Sequence, residues 1–268
     1  MSDTDLASRV PGESLMEALQ VAMTPERSRS FMDSLFGRHP IPLAARSWYI
    51  GLMGELFVAE RLRSLPQGWL VLHSVPVGDR GSDIDHVLVS PTGRVLTLNT
   101  KHSPGAKMWV SPKAMLVNGQ RQPYLRNSSH EAARAAKLLA IITGGTVDVL
   151  AVIVVVGATL THKGEPQDVA VVTLDRLLRF LTRTVPPSKG SVSAELVRNA
   201  ALQPATWVPE GVASSSATDH IEWFTELRDR VRAAARRRAA WVLTTMAVVF
   251  VGPGAIAVVT VASAILPR

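Results

Sequence analysis

Residues 84–101 read IDHVLVSPTGRVLTLNTK, two short apolar stretches on either side of the turn-forming segment Pro91–Gly93. This pattern predicts two strands, 84–90 and 94–100, that pair as a β-hairpin. Residues 150–157 read LAVIVVVG, and such a continuous apolar run is typical of a strand with both faces buried. The chain is therefore expected to build a sheet that is covered by helices.

Helical patterns precede and follow the hairpin. An apolar stripe at the spacing of one helix face predicts a helix over about residues 44–64. A second helix is predicted over 129–142 and ends before Gly144. Shorter segments predict the remaining elements: strands at 69–76, 107–110, 114–117 and 169–173, and a helix at 174–183. This order predicts an α/β fold in which a mixed sheet is flanked by helices.

The composition excludes some kinds of site. The chain has 268 residues, enough for one or two domains, and no cysteine, which excludes a disulfide framework and thiolate metal sites. Aromatic residues make up only 5%, so a broad platform for stacking bases is not expected. The net charge of +7 is concentrated in residues 228–238, where six arginines accompany one aspartate. The overall charge is therefore weak evidence for nucleic-acid binding.

Changes in composition mark the expected boundaries between segments. The Pro186-Pro187 pair and the serine run at 214–216 are typical of linkers. The predicted organisation is an N-terminal extension (1–45), an α/β domain (46–183), a linker region (184–218), a basic helix (219–240) and an apolar C-terminal run (241–266).

The C-terminal run reads WVLTTMAVVFVGPGAIAVVTVASAIL and carries no charge. It is long enough to cross a bilayer, which takes roughly 20 apolar residues, and Arg236–Arg238 precede it. We expect a transmembrane helix kinked at Gly252–Gly254, with the arginine-rich flank on anionic headgroups and the main domain anchored in the cytoplasm. The alternative is an apolar helical hairpin buried in the domain or in an oligomer, in a soluble cytoplasmic protein.

Glu55 falls on the apolar stripe of the first long helix, near Leu52 and Ala59. A buried carboxylate is costly unless a cation, a metal ion or several donors compensate it. Gly51 and Gly54 would let a neighbouring segment approach closely. Glu55 is thus a candidate site residue; the alternative is a position at the edge of the stripe, paired with an arginine.

Polar residues also share one face of the hairpin. Alternation puts Asp83 and Asp85 on one face of the first strand, and Asn99 and Lys101 on one face of the second. Carboxylates hold a hard divalent cation, which polarises a phosphate and activates water, while a lysine stabilises the charge on phosphoryl oxygens. Together with Glu55 these residues could support metal-assisted phosphodiester hydrolysis. The alternative for the two aspartates is a solvated strand start.

Three segments in this order, GLMGE (51–55), IDHVLV (84–89) and GRVLTLNTKHSPG (93–105), resemble the nuclease-related domain family, NERD. That family is placed in the PD-(D/E)xK, restriction-endonuclease-like superfamily, and the resemblance covers residues 46–156. It implies a restriction-endonuclease-like fold and a metal-dependent nuclease that acts on nucleic acid, expected to be DNA.

The resemblance also implies a role for each matching residue. Glu55 and Asp85 are expected to bind the metal ion, the Thr100 main-chain carbonyl to add a ligand, and Lys101 to be the lysine of the (D/E)-x-K element. The departure is Asn99, where the family has an acid. Asparagine keeps one carbonyl oxygen but loses the negative charge, so Mg²⁺ or Mn²⁺ is expected to bind weakly.

The missing charge leaves two functions open. Asp83 shares a face with Asp85 and is a candidate to compensate, which would preserve a nuclease. The alternative is a catalytically inactive, membrane-tethered module that binds nucleic acid or a partner protein through the same cleft, a reading that Asn99 favours.

Other residues near these motifs are weaker candidates. His86, His102 and His130 are candidates for general bases, although a lone histidine more often forms structural hydrogen bonds. The family often has a glutamine on the following helix, about where His130 falls. Trp109 and Tyr124 are expected in the core or in turns rather than in contact with bases.

Overall fold

The computed structural model describes residues 6–23, 31–77, 82–208 and 217–265. The described α-helices are α1 (Glu13–Met23), α2 (Phe31–Leu35), α3 (Arg46–Leu62), α4 (Tyr124–Thr143), α5 (Leu177–Arg183), α6 (Ala194–Leu202), α7 (Pro204–Trp207) and α8 (Ala217–Ile265). The strands are β1 (Leu70–Val77), β2 (Ser82–Val89), β3 (Val95–His102), β4 (Lys107–Ser111), β5 (Ala114–Val117), β6 (Gln120–Gln122), β7 (Val149–Val156), β8 (Thr159–His162) and β9 (Val169–Thr173). Contacts divide the chain into two compact units, one comprising the residues up to Leu19 and Ser47–Ala217, the other Gln20–Arg46 and the residues from Thr218 onward.

The first unit is built on a five-stranded mixed sheet in the order β1-β2-β3-β7-β9. β2 and β3 pair antiparallel, with Val87 opposite Thr97, so the predicted hairpin is confirmed. β7 lies between β3 and β9 and runs parallel to both. Six of its eight residues are buried, which confirms the prediction of a strand covered on both faces.

Helices pack on both faces of this sheet because each presents an apolar stripe to it. Side chains of α3 and α5 join β2, β3 and β7 in one core, and side chains of α4, α6 and α7 join β1, β2 and β3 in another. The predicted α/β fold, a mixed sheet flanked by helices, is thereby confirmed.

A second, four-stranded sheet has the order β6-β5-β4-β8 and grows out of the first. β4 follows β3 and β8 follows β7, and the two pairs remain parallel. The ladder between them continues through the connection, where Ser103 N–H donates to the Val156 carbonyl at 3.0 Å and Thr159 N–H to the Ala106 carbonyl at 2.9 Å. The small sheet is therefore anchored at the carboxyl ends of β3 and β7.

Two regions of this unit differ from the predicted organisation. The region 184–218, predicted as a linker, contains α6 and α7, whose Val197 and Trp207 are buried in the core. Part of the predicted extension 1–45 also belongs to the domain, because Leu6 is buried against the same core. Both segments are short, so their apolar periodicity was too brief to be recognised beside the prolines and serines.

In the second unit, α8 is one helix that covers both the predicted basic helix 219–240 and most of the apolar run 241–266, whose last residue lies outside the described ones. At the start of the run, Trp241 Nε1 donates to the Leu35 carbonyl at 2.9 Å, so this end of the run is engaged by the protein. No helix among the described residues is long and apolar enough to cross a membrane. The predicted transmembrane helix is therefore not supported.

Candidate functional site

The β2–β3 hairpin brings three of the predicted site residues together at one end of the sheet. Continuing the register of the pair His86–Leu98 by one residue places Asp85 beside Asn99. The main-chain N–H of Thr100 donates to Asp85 Oδ2 at 2.6 Å, which ties the two strands beyond the last pair of the regular ladder. Lys101 follows on the same face of β3 as Asn99.

Glu55 reaches this group because α3 packs unusually close to the end of β3. A Cβ atom added to Gly54 would lie 2.5 Å from His102 Cβ and 3.1 Å from Thr100 Cγ2, so only glycine fits at this position. Glu55, the next residue, is 5% exposed. The glycine of the GLMGE segment therefore sets the distance at which the helix presents its carboxylate to the strands.

The charges of the two aspartates and of the lysine act on Glu55. Burial raises the pKa of its carboxyl well above the ordinary value, and the charges of Asp85 and Asp83 raise it further. Lys101 and the main-chain N–H of Gly12 act in the opposite direction. The structure thus brings Glu55, Asp85, Asn99 and Lys101 into one cluster.

A fifth side chain, Glu131 on α4, completes the cluster and was not among the predicted residues. The side-chain amide of Asn99 donates to both of its carboxylate oxygens, at 2.9 Å to Oε1 and 2.8 Å to Oε2. The signal for it was present in the sequence, because Glu131 lies on the stripe that α4 buries at Ser128, Ala132 and Ala135. The neighbouring His130, to which the resemblance pointed, is exposed.

Burial, more than mutual repulsion, raises the pKa values of the carboxyl groups in this cluster. Burial raises the pKa of Asp85 to about 7, with Asp83 and Glu131 adding to the rise, while Lys101 and the Thr100 N–H lower it. Burial likewise raises the pKa of Glu131, and its bond to Asn99 and the charge of Lys101 oppose that shift. Lys101 therefore acts on three carboxylates at once.

The ammonium of Lys101 is also placed by an aromatic ring. Its Nζ lies 5.0 Å from the centroid of the Tyr124 ring, at the start of α4. Such a cation–π contact favours one position of an otherwise flexible side chain. Tyr124, expected in the core or a turn, is half-buried beside the site.

Asp83 stands at the edge of the cluster. Burial raises its pKa, and this is opposed by a hydrogen bond with the Ser14 side chain and by the charge of Arg9. Residues of the N-terminal segment thus contact Asp83, whereas its charge still acts on Glu55 and Asp85. Asp83 is therefore held by the N-terminal segment while its charge contributes to the cluster.

The donor atoms of the cluster fit a hard divalent cation. Glu55 Oε2 and Asn99 Oδ1 are buried and have no hydrogen-bond partner, as expected of oxygens that serve a ligand. Within the described residues, no three His, Cys, Asp or Glu side chains form a group that could hold a metal by themselves. A bound ion would therefore also need the Asn99 amide oxygen and the Thr100 carbonyl, the two neutral ligands that the sequence predicts.

The histidines named as candidate bases do not join this cluster. His86 is buried on the opposite face of β2 from Asp85, and its Nδ1 lies 2.9 Å from Nδ1 of His73. His102 Nδ1 lies 2.6 Å from the Ile50 carbonyl of α3 and so links the helix to β3. A role for these two as general bases finds no support in this geometry.

Comparison with protein families gives one finding. Residues 50–156 match the nuclease-related domain family, NERD. No curated protein and no solved structure matches the chain. The matched segment contains the whole β2–β3 hairpin together with Glu55, Lys101 and Glu131, so the resemblance noted from the motifs is confirmed. Residues 50–156 of this chain are thus similar to the nuclease-related domain family, consistent with the PD-(D/E)xK type of nuclease.

Proposed function

We propose that this domain is a divalent-metal-dependent phosphodiesterase that cleaves nucleic acid, with DNA as its substrate. The observation that carries the proposal is a lysine–carboxylate cluster in which Lys101 acts electrostatically on the buried Glu55 and on the half-buried Asp85 and Glu131. The match to a nuclease-related domain supports a nuclease-like function related to nucleic acid. Carboxyl groups with strongly shifted pKa values are common at catalytic sites.

Four residues would hold the ion. Glu55 and Asp85 would offer carboxylate oxygens, Asn99 its free Oδ1, and Thr100 its main-chain carbonyl, a set suited to Mg²⁺ or Mn²⁺. When bound, such an ion polarises a phosphoryl oxygen and lowers the pKa of water. The raised pKa of Asp85 means that binding must displace a proton, which weakens the apparent affinity below neutral pH.

Lys101 would stabilise the charge that develops on the phosphoryl oxygens during cleavage. Its ammonium is close enough to the carboxylates to lower the pKa of Glu55 and Asp85, so it also favours the ionised ligands. The Tyr124 ring beside it limits the positions that the ammonium can take. Lys101 would therefore orient the phosphate and neutralise its developing charge, while the carboxylates of Glu55 and Asp85 would coordinate the metal ion.

Glu131 would supply the negative charge that Asn99 lacks. The family pattern puts an acid on the strand and often a glutamine on the following helix, whereas this chain has Asn99 on the strand and Glu131 on the helix, joined by two hydrogen bonds. Donation by the Asn99 amide turns its Oδ1 away from Glu131 and leaves that oxygen available. The exchange keeps the total charge near the ligands unchanged.

An exchange series tests this proposal. Glu131→Gln should weaken Mn²⁺ binding about tenfold or more, the usual cost of losing a partner that orients a ligand, and should lower plasmid nicking in parallel. The double variant Asn99→Glu/Glu131→Gln restores an acid and an amide in exchanged positions and should recover much of both. Asn99→Glu alone sets two carboxylates against each other and should bind metal more weakly than the double variant.

Calorimetric Mn²⁺ and Mg²⁺ titrations with a nicking assay measure all four proteins, and Lys137→Gln on the exposed side of α4 is the matched control. If Glu131→Gln leaves metal affinity and nicking unchanged, Glu131 has no part in the site. If the natural protein binds metal and nucleic acid but cleaves nothing, the second candidate function holds, a non-catalytic nucleic-acid-binding module. Asn99 is the observation that favours this second function.

A further inference from the structure

The outer face of the small sheet carries a tryptophan between polar and basic neighbours. Trp109 on β4 pairs with Leu116 on β5 and Thr161 on β8, and Leu116 in turn pairs with Arg121 on β6. Directly paired residues project from the same face of a sheet. These four side chains therefore form one row across the outer face, with Trp109 in the middle.

Trp109 is 49% exposed, although the sequence led us to expect it in the core or in a turn. The residues on either side of it, Met108 and Val110, are fully buried and fill the inner face against α4 and β7. The core of this sheet is thus complete without the indole. A large aromatic ring held outward on a rigid strand is a surface for contact with another molecule.

The surroundings of the ring are positively charged. The chain has no Asp or Glu between residues 86 and 130, but six Lys or Arg. Lys107, Lys113 and Arg121 of this stretch are exposed, and Arg121 Nη2 donates to the Lys113 carbonyl at 3.2 Å, which holds it across the strands. Lys163 adds its Nζ at 5.7 Å from the Trp109 ring centroid.

The small sheet also follows directly on the strand that carries Asn99 and Lys101 of the lysine–carboxylate cluster. β4 continues from the end of this strand, β3. β6 ends at Gln122, and Tyr124, two residues later, lies against the Lys101 ammonium. A polyanion bound along the outer face would therefore lie on an extension of the same strands that hold the cluster.

We propose that this face, centred on Trp109, binds single-stranded nucleic acid. An unpaired base would stack on the indole while Lys107, Arg121 and Lys163 contact the flanking phosphates, the combination of aromatic surface and positive groove that single strands require. Lys163 has a flexible stem and can exchange its place over the ring for a phosphate. The inference rests on the proposed function, for which it names the substrate as a strand with unpaired bases.

Binding is measured on the full chain in EDTA, so that no cleavage occurs. The probes are short fluorescein-labelled oligothymidylate, oligouridylate of equal length, and a duplex of equal length, followed by fluorescence anisotropy. Trp109→Ala should weaken single-strand binding about tenfold, the loss expected for one stacked base, and Trp109→Phe should recover part of it. Trp48→Ala, at a tryptophan of α3 that is 43% exposed, is the matched control and should bind normally.

The salt dependence gives a second readout. Lys163→Gln should lower the slope of log affinity against log salt by about 0.7, one phosphate contact, whereas Arg183→Gln on the exposed part of α5 should leave it unchanged. Tighter binding of either single strand than of the duplex would support the inference. Equal binding of the natural protein and Trp109→Ala, tighter binding of the duplex, or no binding of either single strand would overturn it. The metal titrations above test the proposed function separately, since they contain no nucleic acid.

Discussion

At the scale of single residues, a substitution of Lys101 should distinguish the cleavage step from metal binding. Lys101→Met should reduce nicking about a hundredfold or more, because charge stabilisation at the phosphoryl oxygens is lost. Metal affinity should change little, because two effects oppose each other. The substitution removes a cation that repels the metal ion, but it also raises the pKa values of Glu55 and Asp85, which Lys101 lowers in the natural protein. Nicking rates and calorimetry on the same preparations check both parts. A Lys101→Met protein that nicks normally would refute the assigned role.

The His73–His86 pair predicts how stability depends on pH. Burial first, and then the charge of Arg63, lower the pKa of His73 from 6.5 to about 4. Between these values the unfolded chain binds a proton that the folded chain excludes, so this contribution to stability is lost as the pH falls from about 6.5 towards 4. The shifts of Glu55 and Asp85 oppose it, because raised carboxyl pKa values favour the folded state in acid.

A difference measurement isolates the histidine. Lowering the pH from neutral to about 4.5 should reduce the unfolding free energy of the natural protein by about 2 kcal/mol more than that of His73→Gln. The reason is that glutamine takes up no proton at this position. Urea unfolding of both proteins at several pH values measures this, and the histidine NMR signal should titrate with a midpoint of about 4. A midpoint near 6.5 would show that the pair is accessible to solvent.

Much of the cluster was predictable from single positions. Glu55 was found because a carboxylate stood on an apolar stripe, and Asp85 and Lys101 because alternation put them on one strand face. The same argument applied to α4 would have found Glu131, but the resemblance pointed to the neighbouring His130. Trp109 escaped prediction because alternation on a short strand does not say which face is covered.

At the scale of elements, the contact between α3 and β3 determines where Glu55 lies. Gly54→Ala would put a Cβ 2.5 Å from His102 Cβ, so the helix must shift, at a cost of about 1–3 kcal/mol in stability. Gly51→Ala in the same helix is the control. Its Cβ would meet only Leu15 Cδ1, at 3.4 Å, and a helical alanine is favoured over glycine by about 0.5–1 kcal/mol.

The free energy of unfolding in urea should thus fall for Gly54→Ala and rise for Gly51→Ala. Metal titration of Gly54→Ala should in addition show weaker binding, because the shift carries Glu55 away from Asp85. If Gly54→Ala unfolds and binds metal like the natural protein, the close approach of the helix does not position the carboxylate.

Elements with long, regular patterns were predicted well, and short ones were not. The hairpin β2–β3 and the buried β7 follow from alternation and from a continuous apolar run, and both were found. α6 has only nine residues and begins at the Ser193 cap. Because it lies between serine-rich and proline-containing segments, the whole region was predicted to be a linker. Such an element gains its stability from packing against the sheet rather than from its own sequence.

At the scale of the whole molecule, the question is where the nuclease-related domain ends. The matched region stops at residue 156, but β9, α5, α6 and α7 continue the same unit. Trp207 is 1% exposed, and its Nε1 donates to the Ala201 carbonyl at 2.9 Å, which closes α7 onto α6. The segment after the matched region therefore covers one face of the sheet that carries the cluster.

Trp207→Ala should consequently destabilise the domain by about 3–5 kcal/mol, the usual cost of removing a buried tryptophan. Trp48→Ala, at a tryptophan of the same unit that is 43% exposed, should cost clearly less because a large part of its side chain is already in water. Urea unfolding followed by circular dichroism compares the two, and limited proteolysis should cut Trp207→Ala between residues 184 and 208 well before the natural protein. If 184–208 were a linker, the two substitutions would have equal, small effects and the natural protein would be cleaved there first. The nuclease-related fold would then be complete at α5, and the site would not depend on the helices that follow.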